Sequence, residues 1–238
     1  MKKISAVILA ALLLCTGCSE SGSSSSESSS SGFSSSEKPP QSGNTSSNSS
    51  NSAEAGGNSR VLIAYFTVPE DDVDTVARAS VVVKDGKKYG NTEYVANLIQ
   101  QSIGGDLFAI EAVKEYTHNH DALTDYALEE KGRNERPELK NHIGDISKYD
   151  TIILGYPNWW ADLPMPAYTF FDEYDLAGKT IIPFVTHGGS GFSNTRRTIA
   201  ELEPNAKVSD KALNLSRNDL LGNEDEITSW AKSLDINS

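Results

Sequence analysis

Cysteine is absent beyond residue 18: the chain of 238 residues has two, Cys15 and Cys18. A folding segment without thiols excludes a disulfide scaffold, Cys-ligated zinc, an iron–sulfur cluster and a cysteine nucleophile. Basic charge is short as well. Residues 60–238 hold 18 Lys and Arg against 29 Asp and Glu, and the whole chain carries −12. Nucleic acid, whose binding rests on neutralising phosphates, is excluded as a partner, and so is adhesion to anionic head groups through a basic surface. Histidine numbers four, and His118 and His120 stand two apart without a matching third ligand, so no metal site is expected. The apolar run Ile4–Leu14 is too short to span a bilayer.

What is present begins with an address. Lys2 and Lys3 precede that apolar run, as in a signal peptide covering residues 1–17. Cys15-Thr16-Gly17-Cys18 resembles the bacterial lipobox, which implies that Cys18 becomes the lipidated first residue. More than one acyl chain on that residue gives stable attachment, so the expected location is the extracytoplasmic face of the cell membrane. Residues 18–59 follow as a tether, with 20 serines between Ser19 and Ser59. So little apolar surface cannot offset the entropy of ordering, and this segment is expected to be disordered. Its reach as a flexible coil is about 35 Å.

From Arg60 to Ser238 the pattern changes to alternating strands and helices. Arg60–Phe66, Gly105–Val113, Thr151–Tyr156 and Thr180–Thr186 read as strands, with Lys211–Leu215 a weaker fifth. Their continuous apolar runs suit strands buried on both faces. Helical patterns lie between them: one after Asn91-Thr92-Glu93, one following Asp121, then Pro166–Tyr174, Asn194–Leu202 and Asp225–Leu234. The expected fold is an α/β domain, a parallel sheet wound with helices on both faces. Ligands of such sheets sit beyond the carboxyl ends of the strands, where the winding reverses.

Three loops at those ends are unusual. Gly90-Asn91-Thr92-Glu93 opens a helix with residues suited to converging N–H groups on an anion. Gly155-Tyr156-Pro157-Asn158-Trp159-Trp160 places two adjacent indoles in a proline-bounded loop. Both cannot enter one core, so one should offer a flat face to solvent or to a planar ligand. His187-Gly188-Gly189-Ser190-Gly191 lets backbone approach a ligand closely.

Taken with Phe66-Thr67, these motifs in this order resemble flavodoxin over nearly all of residues 60–238. The resemblance implies a doubly wound, five-stranded parallel sheet of order 2-1-3-4-5 with FMN at the switch point. It implies that Thr67, Asn91 and Thr92 hold the FMN phosphate with help from Gly90. Pro157, Asn158, Trp159 and Trp160 would border the ribityl chain and ring, and His187, Gly188, Gly189 and Gly191 the ring's pyrimidine edge. One departure stands out: Val68–Tyr89 intervenes where flavodoxins have a compact turn, and its Asp85-Gly86 signals a hairpin. Three functions fit: an FMN electron carrier serving a redox partner protein, an FMN-dependent NAD(P)H:quinone-type reductase with a small quinone-like acceptor, and a surface module that has lost the cofactor.

Overall fold

The computed structural model describes residues 60–71 and 80–236. The signal peptide, Cys18, the serine-rich tether and residues 72–79 of the insertion lie outside the described residues. In chain order the elements are β1 (Val61–Tyr65), β2 (Val81–Lys84), β3 (Lys87–Gly90), α1 (Asn91–Ile103), β4 (Asp106–Ala109), α2 (His120–Arg133), β5 (Thr151–Pro157), α3 (Met165–Glu173), β6 (Thr180–His187), α4 (Thr195–Leu202), β7 (Lys207–Val208), β8 (Leu213–Ser216) and α5 (Glu224–Lys232).

The apolar strands feed two cores, because successive side chains leave opposite faces of a sheet. Leu62, Ala64, Ile152 and Leu154 join one cluster, covered by Leu123 of α2, Ala167 and Phe170 of α3 and Ile199 of α4. Val61, Ile63, Ile153 and Phe184 join the other, covered by Val95 and Ile99 of α1 and Ile227 and Ala231 of α5. This double use explains why the strands show no polar alternation.

The main sheet runs β4-β1-β5-β6, with β7 and β8 both beside β6, and every pairing is parallel. That is the doubly wound order expected, with one refinement: the sheet has six strands because its fifth position is divided. Pro183 accounts for the division. Thr180 donates its N–H to Asp150 O on the β5 side, and Ser209 donates to Ile181 O on the other, so odd-numbered residues of β6 face the edge. Pro183 belongs to that set and has no N–H to give. The ladder with β7 ends at Ile181 and resumes with β8 at Phe184.

The insertion's hairpin forms as its Asp-Gly signal requires. Strands β2 and β3 pair antiparallel, and Asp85 (φ 51°) and Gly86 (φ 76°) make the turn. Strand β4 is shorter than expected, ending at Ala109, after which Ala112 forms an isolated bridge to Leu139. Chain order then sets the site. The path moves from β1 out to β4, crosses back through α2 to β5, and so reverses between β1 and β5. The loops after β1, β5 and β6 gather there.

Candidate functional site

A cleft of about 660 Å³, counted to its open mouth, lies at that reversal. Seven expected residues line it: Asn91, Pro157, Asn158, Trp159, Trp160, His187 and Gly188.

The two indoles part as expected, and the turn geometry shows how. Trp159 and Asp162 exchange backbone hydrogen bonds of 3.1 and 3.0 Å around Trp160 (φ 53°) and Ala161 (φ 60°). Trp159 turns inward, meeting Phe66 and Tyr116 edge-on at 5.2 and 5.7 Å between ring centres. Trp160 is held outward with 48% of its surface exposed. Its Nε1 donates to Thr124 O at 2.9 Å and its carbonyl accepts from Lys131 Nζ at 2.8 Å. Left-handed backbone at a tryptophan persists only where its surroundings enforce it, and these contacts do so.

The β6 loop is tied to the β5 loop. Asn158 Nδ2 donates to Gly191 O at 2.6 Å and to Ser193 Oγ at 3.0 Å. His187 Nδ1 accepts from Gly189 N–H at 2.8 Å, which Nδ1 can do only without its own proton. Burial pushes His187 below the ordinary histidine value, against the opposing pull of Asn214 and Asp219. Gly189 and Gly191 thus shape the loop (φ 128° and 59°) without being among the residues that line the cleft.

The helix start differs from the expected open anion cradle. The N-cap of α1 is Gly90, whose N–H is taken by Glu93 Oε2 at 3.2 Å. Asn91 N–H is taken by Ser80 O at 3.0 Å, extending the hairpin. Thr92 and Glu93 supply the remaining first-turn N–H groups. The Thr92 hydroxyl, 1% exposed, shares a 2.9 Å hydrogen bond with Thr186. Thr67 packs against Gly90 and borders a second hollow with Val68, Ile110 and Lys114. Thr67, Gly90 and Thr92 are therefore not among the residues that line the cleft, and of the three only Thr92 bonds to a lining residue, Thr186.

The cleft has further walls. His120, Leu123, Thr124 and Ala127 line it from one face of α2, at the spacing of successive helical turns. Glu70 and Ser80 enter from the insertion, and Arg217 from the segment after β8, its guanidinium against Gly188. The α2 spacing was readable in sequence; the pairing of Glu70 with α2 across fifty residues was not.

FMN, the group implied by the resemblance, suits these residues. Asn91 Oδ1 and Asn158 Oδ1 are buried without a hydrogen-bond partner, and both residues line the cleft. Buried acceptors without partners cost free energy, and ribityl hydroxyls and a ring N–H are donors that would satisfy them. The exposed indole of Trp160 offers a ring-sized apolar face beside them.

Residues 80–234 match the sequence model of the family described as flavodoxin. Among solved structures, a candidate flavoprotein from Bacteroides eggerthii is 26% identical, covers 74% of this chain and 97% of its own, and superposes with a TM-score of 0.52. A flavoprotein from Lactobacillus acidophilus, solved in complex with FMN, shares the fold at 19% identity and a TM-score of 0.50, over 73% of this chain and 99% of its own. No curated protein matches the chain.

Proposed function

The chain belongs to the flavodoxin family, and on that premise we propose that it is a membrane-anchored, extracytoplasmic redox protein with noncovalent FMN as cofactor. The observation that carries this reading is the cleft at the β1/β5 reversal, where two buried amide oxygens lack partners beside an outward-held indole. The FMN complex of the Lactobacillus acidophilus flavoprotein, of the same fold, supports it.

In this reading Asn91 and Asn158 accept hydrogen bonds from the cofactor, and Trp160 covers one face of its ring. The N–H groups of Thr92 and Glu93, at the positive end of the α1 dipole, attract its phosphate. The loop fastened by Asn158 and His187 closes the far end. FMN supplies the redox chemistry, and the protein sets its binding and surroundings. Cys18 carries the anchor, and the serine-rich segment holds the domain off the membrane.

The full chain, expressed with its leader and extracted from the membrane fraction, should be yellow and release one FMN on denaturation. A colourless protein that takes up no FMN on incubation would leave only the third reading, a surface module without cofactor.

A further inference from the structure

Glu70 is 4% exposed, and its two carboxylate oxygens are accounted for. Oε1 lies 2.9 Å from His120 Nδ1, and Oε2 accepts from Ser80 N–H at 3.2 Å. All three residues line the cleft. A buried carboxylate calls for donors, and the imidazole Nδ1 facing Oε1 is placed to be one. Nε2 is then the ring nitrogen that Glu70 does not hold. His120 stands one turn before Thr124, whose carbonyl holds the Trp160 indole, on the face of α2 that walls the cleft. None of the FMN contacts argued above needs this pair.

The pair is also fixed in place. Ser80 Oγ donates to Val68 O at 3.2 Å, Lys88 bridges Asp71 at 2.7 Å, and Asp71 N–H donates to His118 O. An oriented carboxylate–imidazole pair beside a planar-ligand site is an arrangement for proton transfer.

We propose that His120 gives a proton to a two-electron acceptor of the quinone class, with Glu70 as its positioning residue; this rests on the FMN-binding reading above. The step balances. Reduced FMN gives the quinone two electrons and one proton, the His120 imidazolium gives the second proton, and the products are hydroquinone, oxidised FMN and neutral His120. A carrier passing single electrons to a protein needs no such donor, so the pair separates the reductase from the carrier. The charged and titratable groups around His120 are Glu70 and Asp71 of the insertion, His118 and Asp121 flanking it in sequence, and His187 and Arg217 lining the same cleft.

The test uses the full chain loaded with FMN, reduced with dithionite in the absence of oxygen and mixed in single turnover with menadione or with ferricyanide, which accepts one electron and no proton. His120→Gln should slow menadione reduction about a hundredfold. Its ferricyanide rate should fall far less than its menadione rate, with FMN affinity measured alongside. Glu70→Gln should lower the menadione rate alone, by about tenfold. Equal losses with both acceptors, or a His120→Gln variant that keeps the parent's menadione rate, would reduce the pair to a clamp and overturn the proposal. A parent chain that binds no FMN would overturn the functional reading beneath it as well, an outcome separable by the binding titration.

Discussion

A tryptophan at φ 53°, nearly half exposed and pinned through its own Nε1, is a residue positioned for something outside its own core. Aromatic stacking adds about 0.5–1.5 kcal/mol beyond buried area. Trp160→Ala should therefore weaken FMN about tenfold, as read by equilibrium titration, whereas Trp159→Ala should chiefly lower stability, since that ring meets Phe66 and Tyr116. Equal affinities in the parent and Trp160→Ala would make the indole a lid. His187 adds a pH dependence. Its folded value lies below the ordinary 6.5, so the unfolded chain binds the proton more readily. The stability it contributes is complete above 6.5 and is lost as pH falls below that value. Protonation also removes the acceptor for Gly189 N–H. FMN affinity should fall as pH drops below 6.5, and His187→Asn should blunt that fall in titrations across the range.

Elements are placed by contacts that a single glycine permits. A Cβ on Gly90 would stand 2.1 Å from Thr67 Oγ1, although the backbone there (φ −68°) accepts any residue. Gly90→Ala should cost about 1–3 kcal/mol by overpacking. Thr67→Ala in the same chain should recover most of it, as judged by denaturant midpoints in a double-mutant cycle. At this scale the sequence was legible where periodicity and turn chemistry speak. The two-faced strands, the Asp85-Gly86 hairpin and the helix faces all follow local rules. The split fifth strand was not legible, because it depends on which side of β6 Pro183 presents to its neighbour. Nor was the loss of Asn91 N–H to Ser80, which needs the hairpin and the helix in register. Glu70 and His120 were equally hidden, since a pair fifty residues apart leaves no trace in spacing.

At the scale of the molecule, the order of the strands brings three loops to one end, and composition alone marked those loops: two indoles, clustered glycines and a capped helix start. Seven of the twelve expected residues line the cleft; Gly189 and Gly191 belong to its β6 loop, and Thr67, Gly90 and Thr92 lie outside its lining. The proposed anchoring is a separate matter, resting on residues outside the described ones. If Cys18 bears the lipid, Cys18→Ser should move the protein from the membrane fraction to the soluble one while leaving FMN binding unchanged. An unaltered distribution would mean that another segment holds the membrane. The central claim, that the cleft at the β1/β5 reversal takes FMN with its ring on Trp160, is tested most directly by titrating the cofactor-free chain with FMN while following tryptophan emission. A saturable, strong quench at one FMN per chain, largely lost in Trp160→Ala, is the expected result. No saturable quench, or an equal quench in that variant, would contradict it.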